Sequence, residues 1–330
     1  MAERNTGKRR PGGFTLVEML VVITIIAILA AIIIPVGLGA LNTAKRASTG
    51  VEISDIMTGI TRYVSDNGGE YPPSFGEAQA AGVTYADIFN GKVTGVTWQN
   101  TVLGRYVRKA YPKCSSRDIQ YLFTMVADNL DQCSALPFWL NQTSADVKYP
   151  FTGPNKRSYF TMEEARLTQF GVIQSPPNAV PAIQPLPLYG FRARNDGESM
   201  YIYIEARHYR FHVNDDLSSN QTAKPVRPAA GTDFNSRLPE FSVRPWLRRA
   251  VVDANPLNPN NYVNGESYQL HCAGLDTRFS TDHSLLRKFP CGDTGLDYFG
   301  NQIPAAMFTD DKDNQTNFSD GNMISSVPAQ

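Results

Sequence analysis

The sequence lacks both a surplus of one charge and the motifs by which many functional classes are recognised. Its 330 residues carry 31 basic and 31 acidic side chains, so the formal net charge is zero. A nucleic-acid-binding protein needs excess Lys and Arg to neutralise phosphates, and the balance argues against that class. No G-x-S-x-G, H-E-x-x-H, P-loop or dinucleotide-binding fingerprint occurs, and the four histidines are scattered. We therefore expect no catalytic site and no enzyme.

Cysteine is also scarce, and no C-x-x-C pair occurs, which argues against a zinc ribbon or a thioredoxin-like site. The four cysteines are Cys114, Cys133, Cys272 and Cys291. An even number in a translocated chain favours disulfides, and four cysteines allow three pairings. The local choice is Cys114–Cys133 with Cys272–Cys291, each contributing roughly 3 kcal/mol in the chain-entropy model. Four buried thiols are the alternative.

One long apolar run stands out near the N terminus. From Phe14 to Ile34 the only strongly polar side chain is Glu18. About twenty apolar residues at about 1.5 Å each span the hydrocarbon core of a bilayer, which is about 30 Å thick. The preceding leader, MAERNTGKRRPGG, is basic and should stay in the cytoplasm. The sequence predicts a single-pass protein in contact with membrane lipid, with its C-terminal part outside the cytoplasm.

Two ordinary kinds of segment compete with a more specific interpretation of this run. A signal peptide would have a shorter apolar region and a small-residue cleavage site on the far side. A plain membrane anchor explains every residue except Glu18, because a lone carboxylate costs about 2.5–3.5 kcal/mol at mid-bilayer and less near an interface. Glu18 lies near the cytoplasmic edge, where it can reach the interface or be protonated.

The stretch Gly13-Phe14-Thr15-Leu16-Val17-Glu18, with its basic leader, resembles the prepilin-type processing motif of type IV pilins and type II secretion pseudopilins. The resemblance implies that a prepilin peptidase cuts between Gly13 and Phe14 and then N-methylates Phe14. The cut creates a cationic amine, which would pair with Glu18 of a neighbouring subunit so that both charges are neutralised in apolar surroundings. Pro35 stands where this family often has a proline, and it predicts a helix break, with a mere bend as the alternative.

Beyond the membrane the helical pattern continues as one amphipathic stripe, with Glu52 assigned to another face. The stripe consists of Ile53, Ile56, Met57, Ile60 and Val64. Asn67-Gly68-Gly69 is a helix stop signal. We therefore expect a single helix over 14–67 that crosses the membrane over about 14–36 and is roughly 80 Å long at about 1.5 Å per residue.

The helix exit, Tyr63 followed by Asp66-Asn67-Gly68 and Tyr71-Pro72, resembles that of major pseudopilins of type II secretion. The resemblance implies an α+β, pilin-like fold, in which the long N-terminal helix packs against an antiparallel β-sheet domain. In this chain the exterior domain, 68–330, is enlarged by loop-rich insertions. Alternation on both sides of Asn195-Asp196-Gly197 predicts a hairpin between 188–194 and 199–213. A short helix is expected at 163–169.

The C-terminal part is rich in aspartate. A segment from Ala273 to Asp276, and after an interruption a second one that ends in Thr316-Asn317-Phe318, resemble the two parts of the calcium loop of major pseudopilins. Calcium takes six to eight oxygen ligands, so such a loop, at about 273–318, is chemically suitable. The side-chain candidates that the resemblance implies are Asp276, Asp310, Asp311 and Asp313. A solvated acidic turn is the alternative.

Taken together, these features predict a structural subunit with a removable leader, 1–13, that assembles into a periplasmic pseudopilus of a type II secretion system. The implied partners are the prepilin peptidase, other pilin or pseudopilin subunits and the inner-membrane secretion assembly platform. The implied location is the inner membrane, with the C-terminal domain in the periplasm. A minor type IV pilin that acts as an adhesin or binds a surface or DNA is the second hypothesis, and a membrane-anchored secreted enzyme is the third.

Overall fold

The structure is a computed structural model, and it describes the helical N-terminal region and most of the exterior domain. The described residues are 15–75, 83–174, 184–194, 199–212, 243, 245–248, 258–275, 288–289 and 314–319. The chain forms two compact units, Met1–Lys45 and Arg46–Gln330. The first unit contributes only helix to the described residues, and the second contains the sheets.

The long helix α1 comprises Leu16–Asp66, 51 residues, as the sequence predicts. It ends at Gly68 and Gly69, whose φ values of 85° and 78° are favourable only for glycine. The Gly69 N–H donates to the carbonyl of Val64 at 2.9 Å, and the Asn67 N–H donates to the carbonyl of Tyr63 at 3.0 Å. The first of these bonds is the one that closes a Schellman motif, so the predicted stop signal ends the helix.

The predicted helix break at Pro35 is absent, because α1 continues through this residue. A proline inside a helix lacks one N–H donor, and it therefore removes a single bond to the carbonyl four residues earlier. The residues on both sides are aliphatic or small and keep the helical conformation. Pro35 thus leaves one missing hydrogen bond within a continuous helix rather than an end.

The second half of α1 buries the predicted stripe, with one correction. Ile53, Ile56 and Ile60 are buried, and so is Tyr63, whereas Met57 and Val64 are half-buried. The prediction for Glu52 is wrong, because this residue lies on the buried face and is 5% exposed. It follows the same spacing of three and four residues as the stripe, and it is stabilised there by a half-buried arginine that the helix sequence alone does not reveal.

Several short helices surround this half of α1. They are α2 (Tyr85–Phe89), α3 (Val102–Ala110), α4 (Ser116–Tyr121) and the single-turn α5 (Ala135–Pro137), with π-helical turns at Leu122–Val126 and Phe138–Gln142. The first three begin at a Ser or Thr whose hydroxyl accepts an N–H from the first turn, at Thr84, Thr101 and Ser115. Such N-caps satisfy donors that the helix itself leaves unpaired.

Seven strands complete the described part of the fold. They are β1 (Leu167–Ile173), β2 (Leu186–Phe191), β3 (Ile202–Glu205), β4 (Leu247–Arg248), β5 (Tyr268–Cys272), β6 (Lys288–Phe289) and β7 (Gln315–Thr316). β1 and β2 form an antiparallel pair with an irregularity between Gln169 and Gly171. β3, β5 and β7 form an antiparallel sheet in that order, and β4 pairs with β6 in parallel.

One local prediction is confirmed in part, and another needs correction. The segments on either side of residues 195–198 pair antiparallel, as the hairpin prediction requires: the Arg192↔Met200 bridge is flanked by bonds of 2.9 Å from the Ala193 N–H to the Ser199 carbonyl and from the Tyr201 N–H to the Phe191 carbonyl. Beyond this short pairing, β2 pairs with β1 and β3 pairs with β5. The expected helix at 163–169 is a short 3-10 turn, Glu164–Arg166, that leads directly into β1. In the second case the pairing of β1 with β2 takes up the backbone donors and acceptors that a helix would have used.

The sheet β3–β5–β7 is buried on both faces. Tyr203 and Leu270 on one face belong to the large apolar core that includes α1. Ile202 and Ile204 on the other face belong to a second, smaller core with Leu247. A long apolar helix followed by a domain with antiparallel sheets is the predicted α+β, pilin-like architecture, and the prediction of fold class is confirmed.

The structure does not contain the predicted Cys114–Cys133 disulfide. Cys114, Cys133 and Cys272 are all thiols, and Cys291 lies outside the described residues. The Cys114 sulfur lies 3.9 Å from a carboxylate oxygen of Asp118. Burial and the Asp118 charge raise the pKa of Cys114 to about 12, so this side chain is a neutral thiol in the folded protein. The Cys272 thiol donates to the carbonyl of Ala273 at 3.2 Å, and the predicted pairing of Cys272 with Cys291 falls outside the described residues.

Candidate functional site

The first turn of α1 is built around Thr15 and Glu18. The main-chain N–H and the hydroxyl of Thr15 both donate to Oε2 of Glu18 at 2.8 Å. In return, the N–H of Glu18 donates to the Thr15 hydroxyl at 3.2 Å. This reciprocal arrangement is a capping box, which satisfies two of the donors that a helix N terminus leaves unpaired. The carboxylate of Glu18 therefore has a local role that the sequence analysis did not consider.

The predicted cleavage site, Gly13–Phe14, lies outside the described residues. The capping box uses only Thr15 and Glu18, both of which follow that site in the sequence. Its two hydrogen bonds to Oε2 leave Oε1 of Glu18 without a bond among the described residues. Glu18 can thus cap its own helix and still offer one exposed oxygen to a cation from elsewhere.

The helix that follows is apolar and exposed around its whole circumference. Large aliphatic side chains from Leu16 to Leu41 are about half exposed or more, for example Leu16 at 82% and Ile33 at 64%. The most apolar stretch has a mean hydropathy of 3.2 over 18 residues, and none of it is buried. By length and composition this segment suits a membrane span. Such an exposed surface requires lipid or partner helices as its surroundings.

The chain matches the family described as "Prokaryotic N-terminal methylation motif" over residues 8–34. No curated protein and no solved structure matches the chain. The motif and the long helix fit a type IV pilin or pseudopilin, and the apolar half of the helix fits a single-pass anchor of a prepilin-type protein. The motif also implies processing by a prepilin peptidase and assembly with other pilin subunits, which is the work of a structural subunit.

The helix exit is fixed to the exterior domain by hydrogen bonds to its backbone. The carbonyls of Tyr71, Pro72 and Pro73 each accept a bond from a buried or half-buried side chain. The donors are Arg207 at 2.5 Å, the Tyr203 hydroxyl at 2.8 Å and the Trp139 indole at 2.8 Å. Because the two prolines have no N–H, they can occupy an extended segment in the core without leaving a donor unpaired.

Tyr63, the first residue of the exit pattern, anchors the helix end in a cluster of phenols. Its hydroxyl lies 2.6 Å from that of Tyr111 and 2.9 Å from that of Tyr106. Burial raises the pKa of Tyr63 well above its usual value, so the hydroxyls stay neutral. The exit pattern that resembles major pseudopilins therefore marks the joint between helix and domain.

Sequence reasoning missed the ion pair between Glu52 and Arg166. The two carboxylate oxygens of Glu52 accept bonds of 2.5 and 2.7 Å from the two terminal nitrogens of Arg166. The Tyr201 hydroxyl donates to the same carboxylate at 2.6 Å. The guanidinium also lies 4.4 Å from the ring centre of Phe191. The available signal was the spacing of Glu52, which fits the buried stripe rather than the outer face.

The four candidate calcium ligands, Asp276, Asp310, Asp311 and Asp313, lie outside the described residues. In the described ranges, no cluster of His, Cys, Asp or Glu could hold a metal ion. The two segments of the predicted calcium loop do meet where the structure describes them, because the Gly274 N–H of the first donates to the side chain of Asn314 in the second at 3.2 Å. The two segments that the sequence separates are therefore joined at their bases.

The Thr316-Asn317-Phe318 ending has a structural role of its own. Thr316 pairs with His271 in the sheet. The Asn317 side chain accepts from the Leu270 N–H at 2.9 Å and donates to the carbonyl of Tyr268 at 3.2 Å, which extends the ladder beyond the last strand pair. Phe318 packs edge-on against His271. These residues position the C-terminal segment and do not by themselves indicate a ligand.

Proposed function

We propose that the protein is a structural, pseudopilin-like subunit that is processed by a prepilin peptidase and polymerises through α1 into a periplasmic pseudopilus of a type II secretion system. The observation that carries the proposal is the methylation motif at residues 8–34 together with an exposed apolar helix that begins at Leu16. The resemblance of the helix exit to major pseudopilins favours the secretion system over a type IV pilus. The protein would be anchored in the inner membrane with its leader in the cytoplasm and its C-terminal domain in the periplasm.

In this proposal Glu18 acts between subunits. Cleavage after Gly13 would leave a cationic, N-methylated amine on Phe14. The exposed Oε1 of Glu18 in one subunit would accept that amine from the next, while Oε2 keeps the capping bonds to Thr15. Pairing neutralises both charges within apolar surroundings, which favours the assembled state over isolated subunits.

Three substitutions separate the intersubunit role of Glu18 from helix capping. Glu18→Gln removes the charge but keeps a side chain suited to a capping box. Glu18→Ala removes the charge and the capping side chain, whereas Thr15→Ala weakens the cap and keeps the charge. We expect both Glu18 variants to lose polymer and Thr15→Ala to retain most of it. The measurement is the amount of sheared, sedimentable polymer per cell, with N-terminal mass spectrometry of the membrane-extracted protein to verify cleavage.

Two results would contradict the proposal. A protein that keeps residues 1–13 in cells with an active prepilin peptidase is not a processed subunit. Polymer formation by Glu18→Gln at the wild-type level would show that capping, and not charge, is the requirement at this position. Each result is read against wild-type protein produced at the same level.

The calcium site is a further part of this proposal, and it rests on the resemblance of the acidic segments. The carboxylate ligands, the kind of oxygen donor that calcium prefers, would come from Asp276, Asp310, Asp311 and Asp313. Calcium should then raise the melting temperature of the detergent-solubilised protein, and Asp311→Asn should weaken that shift. An equal shift with magnesium, or none with calcium, contradicts the site and leaves the assembly proposal unaffected.

A further inference from the structure

A polar groove runs along the second half of α1. It has a volume of about 340 Å³ and lies between the helix and the segment around Phe160. Its helical wall includes Val51, Asp55, Thr58 and Arg62, which are all exposed. Their spacing of four, three and four residues places them on one face of the helix, which we call the outer stripe.

The charges of the outer stripe have no partner in the part of the chain that the structure describes. No hydrogen bond or ion pair reaches Asp55 or Arg62 there, whereas the other charged residues at the groove are paired. Glu52 binds Arg166, and Glu163 lies 3.4 Å from Arg194. Two unpaired charges of opposite sign on one helix face are available to a partner.

The spacing of these two charges matches a second copy of the same chain. Seven residues of helix place Asp55 and Arg62 about 10.5 Å apart along the axis on the same face. If a parallel copy is displaced along the axis by that distance, Asp55 of one copy comes level with Arg62 of the other. The match repeats with every added copy, because each copy presents one unpaired acid and one unpaired base.

We propose that the groove is a docking surface for α1 of a neighbouring copy, held by an ion pair between Asp55 of one subunit and Arg62 of the next. This inference rests on the proposed function, because it places a contact within the same polymer. The contact between Glu18 and a neighbouring amine also needs an axial displacement, of about 6 Å for four residues, and long Arg and Glu side chains can absorb the difference. Exposed Val51 adds apolar area beside the pair.

The test is a cysteine cross-link in the full-length protein, produced with its processing peptidase and secretion system. In Asp55→Cys/Arg62→Cys the two thiols of one chain are too far apart to join, since about 10.5 Å between Cα atoms exceeds the limit of about 7 Å. Any bond between these positions is therefore intermolecular. Mild oxidation should give a ladder of dimers, trimers and larger species on a non-reducing gel, and each single variant should give no more than dimers.

The matched control is Ser54→Cys/Thr61→Cys. These positions are also exposed and seven residues apart, but they lie on an adjacent face of the helix. We expect at least five-fold less of the larger species from this pair. An equal ladder from both pairs, or no ladder in samples that form sedimentable polymer, overturns the docking surface and leaves the proposed function intact. Cross-linking to a different protein excludes a second copy as the occupant.

Charge reversal provides a second measurement that does not depend on cysteine chemistry. Asp55→Lys should reduce sedimentable polymer several-fold, and Asp55→Lys/Arg62→Glu should restore it. Recovery in the double variant is specific to the pair, since a general folding defect would not be corrected by a second reversal. If the double variant is as defective as the single one, the pair does not form. Failure of the wild-type protein to form polymer would instead contradict the proposed function.

Discussion

At the scale of single residues, Phe75 combines burial with a backbone conformation that phenylalanine rarely adopts. Its φ is 63°, in the left-handed region, and its side chain is 3% exposed. The ring stacks on Trp139 with an interplanar angle of 2° and centroids 5.5 Å apart. Favourable packing in the core therefore offsets a backbone cost of about 1–2 kcal/mol.

This conflict predicts an unusual order of stabilities for two variants. Phe75→Ala should lose about 3–5 kcal/mol of unfolding free energy, because the aromatic packing is removed while the left-handed backbone remains. Phe75→Gly loses the same packing but tolerates the backbone, so it should be as stable as the alanine variant or up to about 1 kcal/mol more stable. Urea unfolding of the detergent-solubilised protein measures both values.

Phe138 serves as the control for this comparison. It is equally buried but lies in a helical turn, where glycine is less favourable than alanine by about 0.5–1 kcal/mol. Phe138→Gly should therefore be less stable than Phe138→Ala. If Phe75 shows that same order, its left-handed conformation is not a determinant of stability.

Residue-level prediction from the sequence succeeded where the reason was local and failed where it was not. The helix stop at Asn67–Gly69 depends on the conformational freedom of two glycines, and a sequence displays that directly. The burial of Glu52 depends on Arg166, which is 114 residues further along the chain. The Cys114–Cys133 pairing failed for a similar reason, because proximity in sequence does not place two thiols in the same environment.

At the scale of elements, α1 was predictable because its periodicity extends over many turns. The strands were less so, because a short apolar segment fits several partners. β3 pairs with β5, whose first residue, Tyr268, lies opposite Glu205, more than sixty residues earlier in sequence. The turn signal at Asn195-Asp196-Gly197 correctly indicated the short pairing of Arg192 with Met200, but no local pattern indicates β5, whose pairing with β3 forms the sheet that is buried on both faces.

The Glu52–Arg166 pair is the ionic contact between α1 and the segment that leads into β1. Arg166→Met should cost about 3–5 kcal/mol, because it leaves the Glu52 carboxylate buried beside Tyr201 without a cation. Glu52→Leu/Arg166→Met should recover a large part of that loss, since no charge is then buried. Thermal unfolding of the three proteins measures the coupling.

Lys92→Met is the reference for the Arg166 variants, because it removes a similar ion pair, with Asp87, from the surface. Exposed pairs contribute about 0–1 kcal/mol, so this variant should be nearly as stable as the wild type. If Lys92→Met and Arg166→Met are destabilised equally, the burial of the second pair has no special effect.

At the scale of the whole molecule, the central sheet contains two buried titratable groups with opposite shifts. Burial raises the pKa of Glu205 to about 7 from a usual value of 4.5, although Arg207 opposes this. Burial lowers the pKa of His271 to about 3 from a usual 6.5, and its ring faces Gln269 and Phe318. Glu205 belongs to β3 and His271 to β5, so one sheet holds a carboxyl and an imidazole that both favour the neutral form.

The two groups affect the pH dependence of stability with opposite signs. The folded pKa of Glu205 is raised, so its contribution to the unfolding free energy is complete below pH 4.5 and is lost as pH rises towards 7. The folded pKa of His271 is depressed, so its contribution is complete above pH 6.5 and is lost as pH falls towards 3. Between pH 4.5 and 6.5 the two effects oppose each other, each with a slope of up to about 1.4 kcal/mol per pH unit.

Single substitutions should therefore separate two slopes that largely cancel in the wild type. Relative to wild type, the unfolding free energy of Glu205→Gln should increase with pH between 4.5 and 6.5, because the effect of His271 is no longer opposed. That of His271→Gln should decrease over the same interval, because only Glu205 remains. Urea unfolding at half-unit steps of pH measures both slopes, and the other titratable groups cancel in each difference from wild type. If both variants track the wild-type curve, neither group changes its proton affinity on folding, and the sheet does not hold them in the neutral form.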